Sequence, residues 1–207
     1  SRRMRKLLIA SRNPDKVTEL RELLSGTAVN LLSLLDFPDL PPTDEDQDTL
    51  RGNAAKKALE AARHTGLLCL ADDTGLFIDA LNGEPGIHAA RFAGEHCNYK
   101  DNRDKVLHLL QGTNDRGAEF RTIAVLAAPD GVVAFTEGVM PGSISTEERG
   151  ANGFGYDSIF IPDPGPRSYA EMTDAEKNAL SHRARALADM LPILKDIIES
   201  DKEVNHD

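Results

Sequence analysis

Apolar residues recur along the chain in two rhythms, short unbroken runs and runs spaced for a helix. "KLLIAS" (6–11) has the uninterrupted apolar character of a buried strand. In "SRNPDK" (11–16), Asn13 can cap a helix whose first position is Pro14, where the missing N–H costs nothing. Val17, Leu20, Leu23 and Leu24 then recur at helical spacing until Gly26 stops the run. "VNLLSLL" (29–35) predicts a second strand, and the Pro-rich acidic stretch 36–48 a loop. Thr49 is placed to cap a helix that ends at Gly66. A strand at 67–71 runs into an acidic pair, Asp72 and Asp73, followed by "LFIDAL" and the turn pair Asn82-Gly83. Further on come a helix near 99–111 and a hairpin turning at Pro129-Asp130-Gly131. A strand near "GSIS", a Gly-rich loop (150–155), the strand "SIFIP" and a C-terminal helix complete the chain. This order, βαβαβ then strands then helix, predicts an α/β protein with a mixed sheet. No internal repeat or long linker interrupts it, and residues 1–5 and 200–207 are expected to fray.

Composition narrows the function. The 207 residues are 40% hydrophobic and 28% charged, which suits a globular protein with a real core. With 5% aromatic residues and no Trp, that core must rest on Leu, Ile, Val and Ala. The net charge of −10 argues against nucleic acid or an anionic membrane as partner. A polyanionic small ligand is still admissible if a few cations converge or a divalent metal neutralises it. Cys69 and Cys97 supply neither a disulfide framework nor a Cys-based zinc site. The apolar run after the basic N-terminus is too short for a signal peptide, and no stretch is long enough to span a membrane. A cytoplasmic setting is therefore expected.

Three motifs carry candidate chemistry. The strand–loop–helix around "SRNPDK" is a natural anion site, because a helix N-terminus presents N–H groups and a positive dipole end, and Lys16 adds a mobile charge. No G-x-x-x-x-G-K-[ST] loop is present, and Gly150, Gly153 and Gly155 have the wrong order for G-x-G-x-x-G. In "EDQDTLRGNAAKKA" (45–58), Asn53 and Lys57 share one helical face. Brought together, Glu45, Asp72 and Asp73 would form an all-oxygen site suited to Mg²⁺. Adjacent strand residues face opposite ways, so Asp72 and Asp73 can share a metal only if the strand ends there; otherwise one serves the site and the other the backbone. In "YAEMTDAEKNALSHRARAL" (169–187), Thr173 and Glu176 form a capping box that starts a helix at Asp174. At about 100° per residue, Lys177 and Ser181 align on an unbroken helix while His182 and Arg183 point away. Either these cations are unrelated surface residues, or the helix breaks near 178–181 and Ser181 caps a second one. Phe154 and Tyr156 in "GFGYD" can be core or a stacking platform.

Taken in order, "SRNPDK", "EDQDTLRGNAAKKA", "LADDTGL", "RGANGFGYDSIF" and "MTDAEKNALSHRARAL" resemble the landmarks of the inosine triphosphate pyrophosphatase family, the Ham1-like purine nucleoside triphosphatases. The resemblance spans roughly residues 6–195. Ser11 stands where Thr is common, Thr74 where Ser is common, and Ser158 where Pro often follows the "FGYD" Asp, a change that could loosen the loop setting Asp157. What it implies is an elongated mixed β-sheet with flanking helices, in one domain over 1–207 whose two lobes surround a central cleft, usually as a homodimer. The implied activity is Mg²⁺-dependent hydrolysis of ITP, dITP and XTP to the monophosphate and pyrophosphate. Ser11, Arg12, Asn13, Pro14, Asp15 and Lys16, with Lys57, would hold the triphosphate. Glu45, Asp72 and Asp73 would hold Mg²⁺, Asp73 would take the proton of the attacking water, and Thr74 would touch substrate. Phe154 would stack on the base, Gly155 and Tyr156 beside it would also bind substrate, and Asp157, Lys177, His182 and Arg183 would read the base edge. If these last three cations meet one base, the helix must break within Asn178–Ser181. "EKNALSHR" argues against a Maf-like pyrophosphatase, the intact acids and Lys16 against a non-catalytic sensor, and the adjacency of Asp72 and Asp73 against the D-x-D of haloacid-dehalogenase phosphatases.

Overall fold

Leu7, Leu8 and Ile9 are all fully buried, which an unbroken apolar run achieves only where a strand is covered on both faces. They belong to β1 (Arg5–Ile9), which pairs in parallel with β2 (Val29–Ser33) and with β3 (Leu68–Ile78). The structure, a computed structural model, describes residues 4–204. The connections between these parallel strands are helical: α1 (Pro14–Leu23) joins β1 to β2, and α2 (Leu50–Thr65) precedes β3. Asn13 Oδ1 accepts from the backbone N–H groups of Asp15 and Lys16, with Pro14 in the first turn, and Thr49 Oγ1 accepts from Gly52 N. Gly66, at φ 73°, ends α2 in the left-handed conformation that a side chain would disfavour.

β5 (Gly117–Ala128) and β6 (Gly131–Ile144) follow α3 (Tyr99–Leu109), and β7 (Phe160–Pro162) pairs antiparallel with the end of β6. The sheet order is β2-β1-β3-β5-β6-β7, with the short β4 (Pro85–Gly86) antiparallel to β3. The sheet is mixed and flanked by helices, as expected. α4 (Asp174–Asn178) and α5 (His182–Val204) complete the chain. Among the described residues, no helix is long and apolar enough to cross a membrane.

The chain divides into two compact units. The first comprises the chain up to Asp73, Ile123–Glu137, and the chain from Arg185 onward. Its core packs Leu7 and Ile9 of β1, Leu20 of α1, Leu70 of β3 and Leu126 of β5 against Leu187, Met190 and Leu194 of α5. The second comprises Thr74–Thr122 and Gly138–Ala184. Its core joins Leu76, Ile78, Val106 and Leu110 to the aromatic group Phe120, Phe160 and Tyr169. The few aromatic residues are thus concentrated in one unit, while the first rests on aliphatic packing.

Several expectations need correction. β3 does not end at residue 71 but continues to Ile78, so Asp72 and Asp73 lie inside a strand; their charges are tolerated there because each meets a lysine, described below. "GSIS" opens inside β6 rather than forming a separate strand. Pro141-Gly142 looks like a break, yet Gly142 is where β7 comes close: a Cβ there would lie 2.3 Å from the Ile161 carbonyl. "SIFIP" is a 3₁₀ turn, Asp157–Ile159, before the three residues of β7. Ordered elements also reach into both stretches expected to fray, since Arg5 opens β1 and α5 runs to Val204. The remainder of that expectation, at 1–3 and 205–207, lies outside the described residues.

Candidate active site

In the first unit, α2 holds the acidic loop down by polar contacts. Asn53 Oδ1 accepts from Gln47 N at 2.9 Å, Lys56 Nζ donates to Asp44 O at 2.9 Å, and Thr43 donates to Glu60 at 2.7 Å. This sets Glu45 beside Lys57, whose Nζ lies 2.7 Å from Glu45 Oε1 and 3.7 Å from Asp73 Oδ1. The same ammonium donates to the Asp72 carbonyl at 2.7 Å. Asp72 turns its carboxylate the other way, to Lys16 Nζ at 3.0 Å. The pair is therefore split by strand alternation: Asp72 goes with Lys16 of α1, Asp73 with Lys57 of α2. Burial pushes the Asp73 carboxyl up, and although Lys57 and Lys16 pull it down, the nearby Glu45 and Asp72 help leave it above the ordinary carboxylate value. Burial opposes the charge on Lys57, but Asp73, Glu45 and Asp72 outweigh that and raise its pKa.

The loop before α1 differs from the anion site expected of it. Pro14 has no N–H, the N–H groups of Asp15 and Lys16 go to Asn13 Oδ1, and Val17 N goes to Asn13 O. The expected N–H cradle is thus taken up internally, leaving the dipole and the Lys16 ammonium as the attractive features for an anion. Ser11 Oγ accepts from Asn13 N at 3.1 Å, and Arg12 donates to the Leu40 carbonyl, tying this turn to the acidic loop. Pro14 and Asp15 are exposed.

In the second unit, the loop Arg149–Tyr156 is shaped by glycines. Gly153, at φ 75°, could carry no side chain, because a Cβ would meet Asp157 Oδ2 at 2.2 Å. That approach lets Asp157 Oδ2 accept from Phe154 N at 3.0 Å and from Lys177 Nζ at 2.8 Å. Lys177 Nζ lies 4.9 Å from the centre of the Phe154 ring and the Arg183 guanidinium carbon 5.9 Å from it. Arg183 donates to Thr74 Oγ1 at 3.1 Å, and Thr74 in turn shares a 2.7 Å hydrogen bond with the fully buried Thr122. His182 stacks on Phe120 with ring centres 4.4 Å apart, and Tyr169 meets its Nδ1 at 3.2 Å.

The helix break that gathers these cations is present. α4 ends at Asn178, α5 begins at His182, and Ser181 Oγ accepts from Ala184 N at 3.0 Å as an N-cap does. Thr173 and Glu176 form the expected capping box. Tyr156, expected to bind substrate, is buried with its hydroxyl donating to the Ala89 carbonyl at 2.5 Å; a phenol must satisfy its O–H once buried. Gly155 contributes a carbonyl that Arg103 binds at 2.9 Å. Ser158, where the loop looked loosened, donates to Glu148 at 3.0 Å, and Glu148 pairs with the same Arg103. Thr122 and Arg103 lie far from the motifs, and Tyr169 and Glu148 at the edges of two of them, so spacing gave no sign of their contacts.

The chain's likenesses agree with its motifs. It is 46% identical over 187 residues to a dITP/XTP pyrophosphatase of Elusimicrobium minutum, covering 87% of this chain and 95% of that protein. A HAM1 protein from Coxiella burnetii superposes with a TM-score of 0.84 at 37% identity, over 93% of this chain and all of that one (100%). A nucleoside-triphosphatase, dITP/XTP pyrophosphatase, from Mycobacterium abscessus gives a TM-score of 0.71 at 46% identity, over 90% and 99% of the two chains. The family model described as the Ham1 family matches residues 7–193, which takes in both carboxylate–lysine pairs and the break between α4 and α5: the chain belongs to the Ham1 family.

Proposed function

We propose that this chain hydrolyses purine nucleoside triphosphates with altered, 6-oxo bases, ITP, dITP and XTP, to the monophosphate and pyrophosphate. The observation that carries this is the division of labour at Asp72 and Asp73, two buried neighbours each facing a different lysine. Asp73 Oδ2 is buried and has no hydrogen-bond partner among the described residues, a costly state unless an incoming group completes it. Glu45 and Asp73, both beside Lys57, supply oxygen donors that fit a hard divalent cation, while Asp72 turns to Lys16. Among the described residues no three acidic, His or Cys side chains are already gathered to hold a metal. Mg²⁺ keeps waters and takes one or two carboxylates plus substrate phosphates. When bound, Mg²⁺ would neutralise phosphate charge and polarise the reacting phosphorus.

The chain's own residues do the rest. Lys16 and Lys57 offer charge to the triphosphate, and Ser11, Arg12 and Asn13 shape the turn that carries Lys16. Asp73, whose raised pKa makes it a better base than an ordinary carboxylate, accepts the proton of the attacking water. In the second unit Phe154 stacks on the base. Lys177, held by Asp157, and Arg183, held by Thr74, donate to its oxo edge. An adenine 6-amino group would leave those buried donors unpaired, which can discriminate by about 10⁴–10⁵-fold where a site is built around the bond. The net charge of −10 fits a small-molecule partner rather than nucleic acid, and the two free cysteines fit a reducing, cytoplasmic setting. A homodimer is proposed on the family resemblance, with sedimentation equilibrium as its check. Pyrophosphate release from a panel of ITP, dITP, XTP, GTP and ATP tests the activity: the three 6-oxo substrates named should be turned over far faster than ATP. Comparable rates across the panel would overturn the proposal.

A further inference from the structure

Tyr169 is among the largest fully buried side chains, although it carries a hydroxyl. That hydroxyl lies 3.2 Å from Nδ1 of His182, within the same unit. His182 is 3% exposed. Its plane is held by Phe120, stacked at 15°, and by Tyr169, tilted at 41° with ring centres 5.7 Å apart. The ring plane therefore has little freedom left. A neutral imidazole carries a single N–H, and the hydrogen bond at one nitrogen decides which nitrogen bears it. Between a phenol and an imidazole, the phenol O–H is the stronger donor and the bare ring nitrogen the stronger acceptor. The favoured arrangement is Tyr169 O–H donating to Nδ1, with the histidine proton on Nε2.

We propose that Tyr169 is a positioning residue that fixes His182 as its Nε2–H tautomer, and so makes the histidine a donor that selects 6-oxo over 6-amino purines. This deepens the proposed function, since it rests on His182 meeting the base edge. With Nε2 protonated, His182 adds a donor toward a 6-oxo acceptor. With the proton on Nδ1 instead, the same nitrogen would accept from an adenine 6-amino group. Tyr169 thus acts on both sides of the ratio, supporting one substrate and denying the other.

Two measurements test this separately from turnover. Two-bond ¹H–¹⁵N correlation of the wild-type imidazoles, with His182 assigned through its contacts to Phe120, should show a protonated Nε2 and a bare Nδ1. In Tyr169→Phe, which keeps the buried ring and removes only the hydroxyl, the same spectrum should show a mixture of tautomers. The ITP-to-ATP ratio of kcat/KM should fall about three- to tenfold, the worth of one neutral hydrogen bond. A wild-type ring protonated at Nδ1, or at both nitrogens, would overturn the proposal, and that spectrum decides even if the variant does not fold. An unchanged tautomer or an unchanged ratio in Tyr169→Phe would overturn it equally. Absence of ITP hydrolysis by the wild type would instead strike the proposed function, leaving the spectrum to decide the tautomer.

Discussion

Asp72 and Asp73 show how strand geometry gives neighbours different work. Both are buried, yet one reaches Lys16 and the other Lys57. Replacing Asp73 by Asn removes the proton acceptor while keeping the shape, so turnover should fall about 10²–10⁴-fold, as read by pyrophosphate release. Stability should move the other way. Burial raises the Asp73 pKa above its ordinary 3.8, so the folded chain holds that proton more tightly than the unfolded one, and Asp73 costs stability as pH rises through its raised value. Asp73→Asn should therefore melt higher than the wild type at neutral pH. The gap should close on acidification through that raised value, as the wild-type carboxyl takes up its proton. A gap independent of pH would contradict the raised pKa. At Cys69, burial pushes the thiol up to about 11. A disulfide reagent at pH 8 should label Cys97 in the native protein and reach Cys69 only on unfolding, because the thiolate is the reactive form.

At the scale of elements, the interruption between α4 and α5 is what turns a run of cations into a set that can face one group. Lys177 lies in the last turn of α4, while His182 and Arg183 open α5. Ser181 ends the gap by capping Ala184 N, fully buried. Ser181→Ala should cost about 0.5–2 kcal/mol of stability, the usual worth of an N-cap, measured by urea unfolding. Because the cap also sets where His182 and Arg183 start, KM for ITP should rise in the folded variant. A purely structural cap would leave KM unchanged. The break was legible from the sequence because angular arithmetic forbids a straight helix, and Ser181 is a capping residue. The extent of β3 was not, because two adjacent carboxylates read as the end of a strand until their lysines are seen.

For the whole molecule, each unit has a core of its own, aliphatic in one and aromatic-centred in the other. In the first, Lys16 and Lys57 already offset part of the acidic charge. The fold should thus not depend on a metal, while the chemistry should. Excess EDTA is expected to abolish pyrophosphate release while shifting the melting temperature little. Turnover that persists in EDTA would remove the metal from the reaction, and unfolding in EDTA would make it structural.

The linear chain by itself determined the elements with local causes. Asn13, Thr49, Thr173 and Ser181 cap helices through hydrogen bonds spanning a few residues, and "KLLIAS" makes a buried strand by its own unbroken hydrophobicity. It also marked the chemistry-bearing residues, because carboxylates, lysines and a Gly-flanked Phe stand out against an aliphatic background. Only the tertiary structure decided what those residues face. Tyr156 went to the Ala89 carbonyl, 67 residues away, and Arg183 to Thr74, 109 away. Tyr169 was matched to the imidazole of His182, and Thr122 to Thr74. Such pairings are set by sheet register and core packing, which bring distant residues within hydrogen-bond reach, and no local spacing encodes them.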